Sequence, residues 1–217
     1  MADYAARRTA MVDTQVRPSD VTKFPIISAM LSVAKEDFVH AAQRETAYVG
    51  ENISLGDDRV ILEPRTLAKM LDGLDIQPDE TVLDLGCGFG YSSAVIAHLA
   101  QVVVAVEDQE ALVEEAQDIV ARAGVDNVAL QHGALAQGDA KHGPYDVITI
   151  QGGVEVIPAA LLDQLREGGR IGAIFVEPGL AVCRIGHKSQ GNVKWRYAFN
   201  AGAPVLHGFE KKQEFAL

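Results

Sequence analysis

The segment that most constrains this chain is Thr81-Val82-Leu83-Asp84-Leu85-Gly86-Cys87-Gly88-Phe89-Gly90-Tyr91. An apolar strand closes on a turn with glycine at every second position, and a helix follows. Glycine reaches backbone conformations that a Cβ forbids and lets a ligand lie against the main chain, and the start of the next helix offers unpaired N–H groups. A second apolar run, Val102-Val103-Val104-Ala105-Val106, closes on Glu107, 21 residues beyond Gly86. A carboxylate there can accept from two ribose hydroxyls; taken alone it could be an ordinary solvated strand end, but this context favours the ribose role. Strand, loop, helix, strand and acid in that order read as a βαβ unit with a nucleoside-containing cofactor at its edge.

The rest of the chain fits that frame. From Thr81 on, strands at Val82–Leu85, Val102–Val106, Val128–Gln131, Tyr145–Ile150 and Arg170–Val176 alternate with helices from Tyr91, over Gln109–Ala123 and from Pro158 to Arg166. Apolar strands separated by helices imply a parallel sheet covered on both faces. The expected fold is α/β, a Rossmann-like doubly wound and mostly parallel sheet. Before it, residues 1–75 read mainly as helices, opened by Pro25 and Pro64. Between those helices Tyr48 to Leu62 reads as an irregular loop or a short strand pair. After the sheet, Ala181–His187 and Val193–Asn200 flank the turn Ser189-Gln190-Gly191-Asn192 and read as an antiparallel hairpin. One domain over 1–217 accommodates all of this, with a cofactor-binding core over 76–180 and a hairpin and tail over 181–217.

Ligands of such sheets bind beyond the carboxyl ends of the strands. Gly86, Cys87, Gly88, Gly90, Glu107, Gly133, Ala134, Gln151 and Gly152 all fall there. Asp84, just before the loop, is placed to meet a cofactor ammonium group, directly or through water. Gln151-Gly152-Gly153 reads equally well as a flexible strand-to-helix turn. Asp146, at the opposite end of its strand, reads as structural.

Composition removes several function classes. Net charge is −11 at pH 7, and phosphate binding needs clustered Lys and Arg; the pairs Arg7-Arg8 and Lys211-Lys212 read as solvated surface, so no nucleic-acid partner is expected. No apolar run approaches the ~20 residues of a membrane helix, and the N-terminus lacks a signal core. Two cysteines, Cys87 and Cys183, are too few for a disulfide framework, and the six histidines lie too far apart for metal-ligand spacing. The expectation is a cytoplasmic protein without a metal.

The glycine spacing decides among cofactors. A dinucleotide fingerprint wants its third glycine at the sixth position, which here is Tyr91; the third glycine comes one residue early. The 86/88/90 spacing resembles motif I of class I S-adenosylmethionine-dependent methyltransferases. Most of the chain, from about Met11 to Val176, resembles the protein-L-isoaspartate (D-aspartate) O-methyltransferase family more closely. The resemblance is carried by Met11-Val12-Asp13-Thr14-Gln15-Val16-Arg17, Ile27-Ser28-Ala29-Met30, Lys35-Glu36-Asp37-Phe38-Val39, Tyr48, the Gly56-to-Pro64 segment, the glycine loop, Tyr145-Asp146-Val147-Ile148, Pro158 and Leu165-Arg166-Glu167-Gly168-Gly169-Arg170.

That resemblance implies S-adenosyl-L-methionine as cofactor and methyl transfer to the carboxylate of isoaspartyl residues in damaged proteins. Two positions depart from the family pattern. Leu62, after Val60 and Ile61, takes the place of a serine near the reacting groups, so no catalytic residue is assigned; Ile61, Leu62 and Gly152 are placed near the acceptor. Ala134, after Gly133, replaces an aspartate expected to accept from the adenine amino group. Losing one such hydrogen bond costs about 1 kcal/mol, so cofactor binding can survive. The departures keep two alternatives open: a methyltransferase acting on another carboxylate or a small molecule, and a catalytically impaired cofactor-binding or interaction protein. The oligomeric state is not readable.

Overall fold

The computed structural model describes residues 3–211. Met1, Ala2, Lys212 and the rest of the C-terminal tail, which the expected 181–217 segment includes, lie outside the described residues.

Seven strands build the central sheet: β3 (Thr81–Leu85), β4 (Val102–Glu107), β5 (Val128–His132), β6 (Tyr145–Val154), β7 (Leu165–Glu177), β8 (Leu180–Ser189) and β9 (Asn192–Asn200). Their spatial order is β5-β4-β3-β6-β7-β8-β9. The first five in that order run parallel, and β8 and β9 join antiparallel. Continuous apolar runs become the inner strands because both faces are covered: Val82, Leu83, Leu85, Val147, Ile148 and Ile150 are fully buried. The β8–β9 turn places Gln190 and Gly191 at φ +54° and +75°, the sign at both central residues that a tight hairpin turn requires. The doubly wound sheet, helical N-terminal region and C-terminal hairpin all follow the sequence reading.

Helices α4 (Tyr91–Ala97) and α5 (Glu110–Arg122) complete the β3–β4–β5 crossovers. The expected apolar face of α3 (Pro64–Leu74) is buried through Leu67, Met70, Leu71 and Leu74, and it packs on the sheet where glycine admits it: a Cβ on Gly172 would stand 2.8 Å from Met70 Cγ. The N-terminal layer holds α1 (Tyr4–Met11) and α2 (Phe24–Ser32), the latter opened by Pro25 as expected. The Tyr48–Leu62 stretch contains a strand pair, β1 (Ile53–Gly56) and β2 (Arg59–Ile61), forming a separate two-stranded sheet.

Two boundaries differ from expectation. The helix after Pro158 is only α6 (Ala159–Leu162), because β7 starts at Leu165 and pairs with Tyr145; the helical period over Asp163–Arg166 yields to strand pairing. β6 runs on through Gly152 and Gly153 to Val154. The cause is the C-terminal segment, which returns beside β6: Gly153 N–H donates to Pro204 O at 2.7 Å and Leu206 N–H to Gly153 O at 2.9 Å. A Cβ on Gly153 would meet Ala203 O at 2.7 Å, so the glycine marks a close backbone approach rather than a flexible turn.

Candidate functional site

The order of strands reverses between β3 and β6, and this switch point is where an open α/β sheet opens a crevice beyond its strand ends. Gly86, Gly88 and Gly90 turn the chain there with φ of +74°, +55° and +90°, conformations in which any Cβ is strained. Gly86 N–H donates to Val106 O and Gly90 N–H to Cys87 O, both at 2.9 Å, which ties the loop to β4 and folds it back on itself. Gly133 is tied to the same edge through its N–H to Glu107 O at 3.0 Å.

Glu107 closes β4 and is fully buried. One carboxylate oxygen accepts from Gly88 N–H at 2.9 Å. The other accepts from Arg59 Nε at 2.9 Å and from the Asp108 and Gln109 N–H groups at 3.0 and 3.3 Å. Arg59, 2 % exposed, also donates to Asp108 through Nη2. Burial pushes the Glu107 carboxyl above its ordinary range, and the Arg59 charge and Gly88 N–H oppose that rise. The sequence reading did not single out Arg59. The available signal was one cation between Asp57-Asp58 and the apolar run Val60-Ile61-Leu62; its partner sits 48 residues away.

Asp84 is also fully buried, and four donors take its oxygens. Thr149 Oγ1 and Gln151 Nε2 reach Oδ1 at 2.7 Å each, and Ser92 and Ser93 Oγ reach Oδ2 at 2.6 Å each. A carboxylate has about four lone-pair sites, and all four are used within the protein. Burial pushes its acidity down, toward the protonated form, against the pull of these donors. Asp84 therefore clamps the first turn of α4 to β6, with its oxygens taken by these four donors in the described conformation. The serines and Thr149 were absent from the sequence reading because α4 and β6 meet only in the folded sheet.

Leu62, Ile61, Cys87 and Gln151 do converge, with Val60, Leu67, Tyr91 and Ser92, around a cavity of about 10 Å³. That is roughly the space of one water. Burial and the nearby Asp84 and Glu107 charges push the Cys87 thiol well up, so it serves as a small apolar wall. Gly152 lies beside the C-terminal segment: a Cβ there would stand 2.5 Å from Leu206 Cγ. Ala134 is exposed.

Behind the loop, the N-terminal block braces Tyr91. Phe38 meets its ring edge-on at 5.8 Å, and the fully buried Lys35 ammonium lies 5.6 Å from its centroid. Burial lowers Lys35 to a pKa of about 7. Glu36 accepts from Tyr48 OH and, at 3.2 Å, from Arg8 Nη2. These Lys35–Val39 residues pack on the helix that carries the loop.

The family model for protein-L-isoaspartate(D-aspartate) O-methyltransferase matches residues 6–197, almost the whole described chain. The chain belongs to that family. A protein-L-isoaspartate O-methyltransferase from Syntrophus aciditrophicus is 35% identical over 171 residues, covering 79% of this chain and 78% of the relative. The enzyme of the same name from Pectobacterium atrosepticum is 34% identical over 75% of this chain and 78% of its own. Among solved structures, a protein-L-isoaspartate O-methyltransferase superposes with a TM-score of 0.83 at 24% identity, over 93% of this chain and 66% of that longer one. A Plasmodium falciparum protein crystallised in complex with S-adenosyl-L-homocysteine superposes with a TM-score of 0.80 at 19% identity, over 95% of this chain and 99% of that one. At those identities the superpositions speak for the methyltransferase fold. The family is one of O-methyltransferases, and the resemblance read from the N-terminal block and the glycine loop is borne out.

Proposed function

We propose that this protein is an S-adenosyl-L-methionine-dependent O-methyltransferase whose acceptor is the free carboxylate of isoaspartyl residues in proteins. The observation that carries the reading is the switch-point edge itself. A glycine loop with three positive-φ residues and the Glu107 carboxylate adjoin there, in a chain matched by the family model from residue 6 to 197.

The polar chemistry fits an adenosyl ligand: Glu107 suits two ribose hydroxyls, and the loop backbone from Gly86 to Gly90 suits the amino-acid half. The described conformation does not leave room for it: a cleft for a ligand of this size measures roughly 300 Å³ or more, the cavity beside Leu62 holds about 10 Å³, and Arg59 Nε already donates to the Glu107 oxygen a ribose would take. No step through the cofactor is therefore derived from this geometry. When bound, the cofactor supplies an electrophilic methyl group. The acceptor carboxylate is ionised near neutral pH, so the protein need provide no general base; its part is to hold an oxygen in line and exclude water. The apolar lining of Ile61, Leu62 and Leu67 suits exclusion of water.

The protein carries two unpaired, buried cysteines, and among the described residues no helix is long and apolar enough to cross a membrane. Both are compatible with action on cytoplasmic proteins. The test is incubation with methyl-labelled cofactor and a matched pair of peptides, isoaspartyl and aspartyl. Base-labile label on the isoaspartyl peptide alone is expected; label on neither peptide counts against the reading.

A second acceptor is favoured by one observation. Leu62, 2 % exposed and without a hydroxyl, lines the small cavity beside Cys87 and Tyr91, which suits a different carboxylate or a small molecule. Under that reading Leu62→Ser creates or raises isoaspartyl activity; an unchanged rate in the folded variant removes its basis.

A further inference from the structure

The strand pair that precedes α3 packs on the two features the methyltransferase reading gives to an adenosyl ligand, the Glu107 carboxylate and the glycine loop. Arg59, at the start of β2, places its guanidinium on the Glu107 carboxylate at 2.9 Å and on Asp108. Both side chains of the Arg59–Glu107 pair are buried, at 2 % and 0 % exposure. A guanidinium donates to a carboxylate through several N–H groups in one plane, as two ribose hydroxyls would through their O–H groups. Beside it, Leu55 of β1 covers the glycine loop. A Cβ on Gly88 would stand 2.5 Å from Leu55 Cδ1. The face of Gly88 left bare by its missing side chain is thus filled by leucine.

The hairpin's backbone pairing is self-contained. Its two strands pair only with each other and form no part of the seven-stranded sheet. Its tip, Gly56-Asp57-Asp58, is exposed and holds φ of +94°, +40° and +60°; for the two aspartates this conformation is strained. Beyond the Arg59 ion pairs and apolar packing, polar ties to the body are few. His40 Nε2 lies 3.2 Å from Leu55 O, Gln43 Nε2 donates to Ser54 O at 3.0 Å, and Gln109 Nε2 approaches Asp57 O at 3.5 Å. Withdrawal breaks these contacts and the core packing of Ile53, Leu55, Val60 and Ile61, and leaves the strand ladder intact.

We propose that the β1–β2 hairpin is an intramolecular occupant of the nucleoside half of the cleft, with Arg59 standing in for the ribose on Glu107 and Leu55 covering Gly88, so that an adenosyl ligand enters only as the hairpin withdraws. This rests on the methyltransferase reading of the cleft. Closure lowers apparent affinity by the fraction of molecules that are open, and any change that weakens closure raises it. Arg59→Ala leaves Glu107 buried without its partner in the closed state, which penalises closure strongly. Leu55→Ala removes packing from the closed state and leaves Glu107 and Arg59 untouched.

The experiment is calorimetric titration of S-adenosylhomocysteine into the wild-type protein, Arg59→Ala and Leu55→Ala, with circular dichroism confirming that each is folded. Hydrogen exchange of residues 53–61 is followed in parallel. The expected result is at least tenfold tighter binding by Leu55→Ala, and by Arg59→Ala if it folds, with faster exchange of 53–61 in the wild type on saturation. Binding by the wild type within twofold of the folded variants overturns the plug and leaves the methyltransferase reading standing. No binding by any of the folded proteins at millimolar ligand overturns both.

Discussion

Replacing Asp84 separates the two forces that meet at the base of the glycine loop. In the folded protein its carboxylate receives four short hydrogen bonds, two from the first turn of α4 and two from β6. Each hydrogen bond to a charged group contributes about 1.5–3 kcal/mol, while taking the carboxylate out of water costs several kcal/mol. Truncation to alanine removes the acceptor and strands its donors. The three hydroxyls can turn toward other oxygens, but the Gln151 Nε2–H, which donates to Asp84 Oδ1, is left without an acceptor. An Asp84→Ala variant is expected to lose about 3–5 kcal/mol. Asp84→Asn keeps one acceptor oxygen, faces its amide toward hydroxyls that can also accept, and removes the cost of a buried charge; it is expected within about 1 kcal/mol of wild type.

Urea unfolding followed by far-ultraviolet circular dichroism and by Trp195 fluorescence measures both variants, with an unchanged slope marking a like-for-like comparison. Burial raises the folded carboxyl above its unfolded value, so the folded state binds more protons across that window. Wild-type stability relative to Asp84→Asn therefore grows as pH falls through the folded value. The reasoning fails if Asp84→Ala costs under 1 kcal/mol, or if Asn is as costly as Ala, since the charge rather than the donor count would then hold the loop.

Three further outcomes follow from the packing. Lys35→Met is expected to stabilise the protein by about 2–4 kcal/mol near neutral pH. Burial lowers the folded Lys35 to about 7 from 10.5, so the unfolded chain binds the extra proton between those values and wild-type stability rises with pH across that window; denaturation midpoints that keep a constant gap from pH 7 to 10 contradict this. Gly153→Ala drives a Cβ to 2.7 Å from Ala203 O and 2.9 Å from Pro204 O, both backbone, and is expected to cost at least ~2 kcal/mol by chemical denaturation; a neutral effect means the C-terminal segment lifts away. Leu206→Ala, at a fully buried position, is expected to cost about 2–4 kcal/mol, and retention of the full unfolding midpoint refutes its role in anchoring that segment to β6.

The features legible in the sequence are those set by short-range rules. Apolar runs marked the inner strands, prolines marked the starts of α2 and α3, and the spacing of Gly86, Gly88 and Gly90 marked a turn that needs positive φ. What stayed hidden depends on partners far along the chain. Arg59 looks like a hairpin-tip cation until Glu107, 48 residues on, is brought against it. Asp84 shows nothing of its inner partners until Thr149 and Gln151 arrive from β6, 65 and 67 residues away. The short α6 and the long β6 were hidden for the same reason: pairing of Leu165 with Tyr145, and of the 204–206 segment with Gly153, overrides the local pattern.

The central claim is that Glu107 and the glycine loop form the adenosyl cleft and that the protein's own hairpin fills it. A crystal structure of the wild-type protein soaked or grown with saturating S-adenosylhomocysteine tests it most directly. The account predicts ribose hydroxyls on the Glu107 carboxylate, the amino-acid half along Gly86–Gly90, and Arg59 displaced from Glu107. A ligand bound with the Arg59–Glu107 pair intact would contradict it.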